Sequence, residues 1–526
     1  MSMKQLNTVA YFFRNNWWII AYIVLLVISF SYFIFLQSTP TLADPDSFYH
    51  AKAAMLIPEH GFSTEFPWLQ TTILKDSYID QHFLYHVFLI PFTKIMDPLM
   101  GVKLANILLS VGLVLLFYGL LRKFKVKFAF WFTILLLITT PFIFRINLIK
   151  APVFSILILI IGLYFLFRYK YLALFILSFI YVWSYGGFIL ILLFAGAYAA
   201  AGIFKDLFFR AKKRSLGFVI GHNRELRLFF ASLGGILAGL VINPYFPQNI
   251  VFYWHQLVKI GIINQQAVIP VGNEWYPYNF FNLTSGTALM TIILVVALIL
   301  FVYKFKRLNK KTIALFLIYL LFFIFTLKSR RYVEYYIPFT IIFSAFTINE
   351  FVARISWLHI WRQFESFIRK YWVIFVILAL YFVIIIPMLV VKDVRQTHND
   401  FKSGISINRF KNVSLWLQEN SQPGEIVFHS SWDEFPILFY YNSYNYYIAG
   451  LDPTFTYEYN EEAYHKMVEI TTGVQKENIY SDIKDIFGAD YIFIESNHTA
   501  MEQNIQKYNK FLRVYMDDEA SIYKVL

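Results

Sequence analysis

About eleven apolar stretches, each near the roughly 20 residues that cross a bilayer as a helix, constrain this 526-residue chain more than any motif does. They lie near 17–37, 101–121, 128–145, 151–167, 171–187, 188–204, 228–247, 286–303, 312–327, 335–352 and 371–391. Backbone that enters hydrocarbon must satisfy its own polar groups, so these segments are expected to be helices. Hydrophobic residues make up 58% of the chain and charged residues 15%, which excludes a soluble globular protein. The reading is a polytopic α-helical membrane protein of about eleven spans, up to thirteen. The stretch "FLYHVFLIPFTKIM" at 83–96 is too short to cross and reads as an interfacial or re-entrant helix. Cys is absent, so a disulfide framework, a thiolate metal site and a Cys nucleophile are excluded.

Lys and Arg concentrate in cytoplasmic loops. With the N-terminus inside, "RKFKVK" at 122–127, "RYK" at 168–170, the loop 205–227, "KFKRLNKK" at 304–311 and the segment 354–370 all fall on the inner side. Topology thus accounts for the net charge of +13, and no nucleic-acid partner is needed. The outer side then holds the loop 38–100 with Asp44 and Asp46, the turn 144–152, "VWSYGG" at 182–187, and the loop 248–285 with "VGNEWYP". It also holds "KSRRYVEYY" at 328–336 and everything after about residue 392. Lys328, Arg330 and Arg331, with Arg145 and Lys150, stand outside against the charge rule. Either they snorkel or pair with Glu334, or they meet phosphate, which suits the guanidinium fork. The expected place is the inner (plasma) membrane of a prokaryote, with the N-terminus cytoplasmic.

The chain divides into a membrane domain over 1–391, a linker at 392–404 and an extracytoplasmic α/β domain over 405–526. In the last, "RFKNVSLWLQEN" at 409–420 and "YSDIKDIFGAD" at 480–490 read as helices, the second ended by Gly488. "EIVFHS" at 425–430, "YIFIES" at 491–496 and "ASIYKVL" at 520–526 read as strands. "SSWDEFPILFYYN" at 430–442 follows the first strand and is placed on a loop facing the membrane.

Asp44 and Asp46 form a D-x-D pair at the outer end of the first span. Strand alternation would put both carboxylates on one side, able to hold a divalent metal or a hydroxyl. The same residues around Pro45 also fit a solvated turn. His50, His82 and His86, in the same loop, fit packing or hydrogen bonding. In "IDQHFLYH" at 79–86, Asp80 and His82 have the spacing of a small polar cluster. Trp68, Trp254 and Trp275 are assigned to the interfacial aromatic belt.

Five pieces together resemble the membrane-embedded GT-C glycosyltransferases, and within them the catalytic subunit of oligosaccharyltransferase. "ADPDSFYHAKAAMLIPEHGF" resembles the first outer loop with its essential Asp, and "WSYGG" at 183–187 the Trp-Gly turn. "VGNEWYP" is similar to the family's Glu-bearing loop, "SRRYVEYYIPF" at 329–339 to its Arg-aromatic stretch, and "SSWDEF" at 430–435 to its Trp-Trp-Asp acceptor motif. The resemblance implies Asp44 or Asp46 as the catalytic carboxylate. It implies Arg330 or Arg331 on the donor phosphate and Trp432 and Asp433 on the acceptor side; Arg145 and Lys150 are further donor-phosphate candidates by their position outside against the charge rule, and His82 a further acceptor-side candidate from the same outer loop. It also implies Asp44 and Glu274 as ligands of a divalent ion, Mg or Mn.

Two departures stand out. Where the family carries a second D-x-D, this chain reads "RINLIKAPVFSI", with Lys150 and no acid. The acceptor motif keeps Trp432 and Asp433 but has Ser431 for the first Trp and Phe435 for a Gly. The implied activity is transfer of a sugar or oligosaccharide from a polyprenyl-phosphate or -pyrophosphate donor to a peptide, lipid or glycan acceptor at the outer leaflet. Without a metal, Lys150 would supply the missing charge. A transferase of single sugars to lipid, glycan or Ser/Thr is the alternative of the same fold. A non-catalytic scaffold or transporter is the alternative of another class. A transporter needs broken spans in paired halves or charges at the midplane, and the ionisable residues here keep to the mouths of spans.

Overall fold

The apolar runs fold as helices in the computed structural model, which describes residues 3–208, 217, 221–263, 269–353 and 370–526. The basic stretches at 209–216 and 354–369, read as cytoplasmic loops, lie outside the described residues. Among the described residues, six helices are long and apolar enough to cross a membrane: Asn16–Gln37, Pro98–Lys123, Ile189–Phe208, Ala288–Arg307, Lys310–Lys328 and Arg330–Val352. Ala129–Leu137 and Thr140–Ile146 would make a seventh, but they meet at 71°. A single span was expected over 128–145. Pro141 near the start of the second helix has no N–H with which to continue the first, so the chain turns there. Pro152–Phe167 and Tyr171–Ser184, also expected as spans, are apolar helices of 16 and 14 residues. Phe83–Ile95 is a 13-residue helix, as its short apolar run suggested.

Burial sorts these helices into layers. Of the apolar stretch in Arg330–Val352, 72% is buried within the protein, and 67% of that in Pro98–Lys123, so these two are central. For Asn16–Gln37 and Ala288–Arg307 the shares are 28% and 22%, and side chains such as Ile23, Val27, Ile292 and Ile299 stand exposed as a lipid-facing surface. Arg224–Val241 packs tightly on Tyr171–Ser184 through glycine. A Cβ at Gly235 would stand 2.2 Å from the Phe175 carbonyl oxygen, and one at Gly239 2.9 Å from that of Phe179. This is the close approach that small residues four apart allow between membrane helices.

One end of the bundle gathers the basic turns. Arg168 lies 5.5 Å and Lys311 4.6 Å from the Phe124 ring, and Lys310 pairs with Glu225 at 3.1 Å. The opposite end carries the C-terminal sheet. Its strands run in the order Tyr446–Tyr447, Ile426–His429, Tyr491–Glu495, Ala520–Val525, Phe511–Met516. The first three are mutually parallel and the last two pair antiparallel. The three strands and two helices read from sequence are present, and Gly488 at φ +60° ends the second helix. The first long loop is stitched to the C-terminal part of the chain, once at this sheet and once in a separate two-stranded sheet. Leu69 bridges the edge strand at Tyr447, and Thr41–Leu42 pairs with Ile405–Ser406.

Candidate functional site

The loop that follows the first helix and the turn before Pro152–Phe167 are held together by buried polar contacts. Gln37 Nε2 donates to the Asn147 carbonyl at 2.7 Å. Lys103 Nζ donates to the carbonyls of Gln37 and Thr39, and Asn106 Nδ2 to that of Ile146 at 3.0 Å. Each satisfies a backbone group that the helix ends leave orphaned. The result brings Asp44, Asp46 and Lys150 into contact across more than a hundred residues of sequence.

Alternation along a strand was the expected way to align the two aspartates. The chain turns instead: Asp44 Oδ1 accepts the Asp46 N–H at 2.9 Å, and Asp46 opens the helix Asp46–His60. The remaining oxygens converge all the same. Lys150 Nζ lies 2.8 Å from Asp44 Oδ2, 2.9 Å from Asp46 Oδ2 and 3.8 Å from Glu274 Oε2. Burial pushes the Asp46 carboxyl up to about 6, against the attraction of Lys150. Lys150 is itself held above its usual range, because attraction to Asp44 and Asp46 outweighs its burial. Glu274 is held below the usual carboxylate range by Lys150 and Arg145, which together overcome its burial. A magnesium or manganese ion shared by Asp44 and Glu274 would have to displace the Lys150 ammonium, so this donor set does not fit such an ion as folded.

The arginines divide by what they touch. Arg145 is spent on carboxylates, with Nη1 2.8 Å from Glu274 Oε2 and Nε 2.9 Å from Glu334 Oε2. Arg331 is held more loosely. Its guanidinium lies 4.2 Å from the centre of the Trp275 ring, 3.9 Å from Glu274 Oε1 and 3.5 Å from the Tyr185 hydroxyl. Trp275 is therefore not part of an interfacial belt: it is buried at 6% exposure, as the platform for Arg331. Arg330 is exposed and donates to the Pro277 carbonyl at 3.2 Å.

These groups line one cavity of about 1510 Å³. Its polar wall carries Asp44, Asp46, Lys150, Glu274, Arg330 and Arg331, and an apolar wall includes Pro141, Phe144, Leu190, Leu193 and Leu257. Trp432 and Asp433 line it from the C-terminal sheet. They sit in a tight turn directly after the strand Ile426–His429. Ser431 and Glu434 close that turn as a reciprocal cap, the S-x-x-E pattern legible in "SWDE". Tyr185, in the quoted "WSYGG", reaches the cavity beside His82, with ring centres 5.7 Å apart.

Of packing and hydrogen bonding, both open from sequence, His50 and His86 take the second. His86 Nδ1 meets Asp80 Oδ2 at 2.7 Å, and His86 Nε2 meets His50 Nδ1 at 2.7 Å. His82 gives Asp80 only its backbone N–H. Hence the ring partner of Asp80 is His86, six residues on, and not the His82 that spacing suggested. Asp452, which sequence reasoning passed over, also lines the cavity, but its side chain caps the helix Pro453–Tyr459.

No family model matches the sequence, and no curated protein matches it. Solved structures do. The archaeal oligosaccharyltransferase AglB from Archaeoglobus fulgidus, in complex with an inhibitory peptide and a dolichol-phosphate, superposes with a TM-score of 0.64 at 13% identity. That match covers 98% of this chain and 75% of AglB. ArnT from Cupriavidus metallidurans bound to undecaprenyl phosphate gives 0.57 at 12% identity, over 96% of this chain and 97% of ArnT. The chain has the GT-C fold.

Proposed function

We propose that this chain is a GT-C glycosyltransferase that moves a sugar from a polyprenyl-linked donor to an acceptor at the face carrying the C-terminal sheet. The observation that carries the reading is the Lys150 ammonium seated between Asp44 and Asp46, in one cavity with Arg331 and an apolar wall. A lipid-borne phosphate brings both a negative charge and an apolar tail, and this cavity offers a surface for each. AglB with dolichol-phosphate and ArnT with undecaprenyl phosphate support the same donor class.

The reaction is displacement at the anomeric carbon. An acceptor oxygen or nitrogen bonds to that carbon as its bond to the phosphate oxygen breaks, and the electron pair leaves on the phosphate. Asp46 takes the acceptor's proton; a carboxyl near 6 is close to the best match for a base at neutral pH. Lys150 and Arg331 stabilise the charge that grows on the leaving phosphate, in a cavity where low dielectric strengthens them. Arg145 positions Glu274. Trp432 and Asp433 meet the acceptor from the sheet side. In this reading Lys150 does the electrostatic work of a divalent ion, so no metal is needed at the carboxylates.

Lys150 also favours the narrower reading, transfer of a single sugar from a polyprenyl monophosphate. One ammonium carries half the charge of a divalent ion, and a monophosphate demands less compensation than a pyrophosphate. Transfer of labelled sugar by the purified protein from synthetic mono- and pyrophosphate donors tests both. Turnover from the monophosphate alone supports the narrower reading. Silence with every donor and several acceptors leaves the non-catalytic scaffold in front.

A further inference from the structure

The reaction outlined above makes no use of the one group of three imidazoles that, among the described residues, could hold a metal ion. His50, His82 and His86 each offer one ring nitrogen, and these atoms lie within 4.8 Å of one another. His50 and His86 are buried, while His82 is partly open and lines the cavity together with His50. The His82 ring makes no hydrogen bond among the described residues. Behind the group Asp80 is fixed: it accepts the backbone N–H of His82 at 2.9 Å and lies 2.7 Å from His86 Nδ1.

We propose that His50, His82 and His86 form a zinc site whose fourth coordination position opens on the cavity. Three imidazoles with no fourth protein ligand are the donor set of an open zinc site. Neutral nitrogen ligands select zinc over magnesium or manganese, so this site is chemically separate from the Asp44–Lys150–Glu274 cluster. Asp80 supplies the support such a site requires. A carboxylate on the far nitrogen of a ligating histidine fixes its tautomer and leaves the near lone pair facing the ion. His50 Nδ1 and His86 Nε2 stand 2.7 Å apart. Zinc–nitrogen bonds of about 2.0–2.1 Å at a tetrahedral angle would hold them roughly 3.4 Å apart, a shift of less than about 1 Å. The open position faces the cavity one helical turn from Asp46, where an oxygen of a phosphate or of a sugar hydroxyl would complete the shell.

The proposal does not rest on the proposed transfer, and its test reads metal and not turnover. The full-length protein is purified in detergent through a tag free of histidine, without chelator. Its zinc content is measured by mass spectrometry, and cobalt(II) is added to the zinc-free protein. The expected result is about one zinc per chain and a cobalt spectrum of tetrahedral intensity. His82→Gln and His86→Gln should each lose the metal, and Asp80→Asn should weaken it by 10- to 100-fold. Lys150→Gln should keep it, which separates this site from the carboxylate cluster. Wild-type protein with background zinc and no tetrahedral cobalt band would overturn the proposal and leave the chain Asp80–His86–His50 as a hydrogen-bond relay. The wild-type metal content and cobalt band decide between these two outcomes even if a variant fails to fold.

Discussion

The Lys150 ammonium lies 2.9 Å from the Asp46 carboxylate, joining the turn before the helix Pro152–Phe167 to the loop after the first span. Lys150→Ala removes the charge assigned to the leaving phosphate and leaves three carboxylates facing one another. Loss of one preorganised stabilising group typically costs about 10²–10³ in kcat. Turnover of Lys150→Ala should fall by that much, and added Mg²⁺ or Mn²⁺ should restore part of it, because an ion can then take the ammonium's place among the three carboxylates. Lys150→Arg should retain part of it, because charge and not shape is the requirement. Single-turnover assays with labelled donor check both.

Asp46 must be deprotonated to take a proton, and burial raises its carboxyl to about 6. The rate should therefore fall as pH drops through about 6, by tenfold per unit below it. Asp46→Asn should abolish that acid limb together with most of the turnover. A pH profile of kcat/KM for wild type and variant decides the point. A flat profile down to pH 4 would remove Asp46 as the base.

Arg331 stacks on Trp275 while reaching Glu274, and a lysine cannot do both. Arg331→Lys should lower kcat/KM for the donor by roughly tenfold and Arg331→Ala by about 10²-fold. Arg330→Ala, which removes an exposed side chain, should change it less. Titrating donor concentration in each variant checks the order.

Trp432 reaches the cavity from the sheet and not from the helices. Trp432→Ala should raise KM for the acceptor several-fold and leave KM for the donor unchanged. Equal effects on both substrates would contradict its placement on the acceptor side.

Gly235 sits where its helix crosses Tyr171–Ser184, with no room for a side chain beside the Phe175 carbonyl. Gly235→Val should destabilise the fold by about 1–3 kcal/mol, visible as a lower Tm in detergent. Gly112→Ala, inside the helix Pro98–Lys123 where a Cβ meets nothing within 4 Å, is the control and should not lower Tm, since Ala is the better helix former.

The fold was most legible in the sequence where one physical rule acts over many residues. Long apolar runs that enter a bilayer fold as helices, and short apolar runs between polar helical stretches in the tail located three of the five strands of its sheet. Legibility failed where a single residue redirects the chain. Pro141 turns an expected span through 71°, and Tyr446–Tyr447 is too short a strand to leave a pattern. At the candidate site, position beyond the first span singled out Asp44 and Asp46, and a missing acid singled out Lys150. That these three meet depends on Gln37, Lys103 and Asn106 binding backbone carbonyls, which no spacing rule encodes. Sequence cannot separate Trp275 from the aromatic belt, because a Trp in such a loop has the same signature at a membrane interface and under an arginine. Spacing alone pairs Asp80 with His82, while the fold brings the His86 ring to its carboxylate.

The most direct measurement is transfer of labelled sugar by wild-type protein with EDTA and no added divalent ion, beside Lys150→Ala. If Lys150 takes the place of the ion, wild type continues to turn over and Lys150→Ala does not. Loss of wild-type turnover in EDTA with recovery on Mg²⁺ or Mn²⁺ would contradict the account. Recovery on zinc alone would point to the histidine site and leave Lys150 in its role.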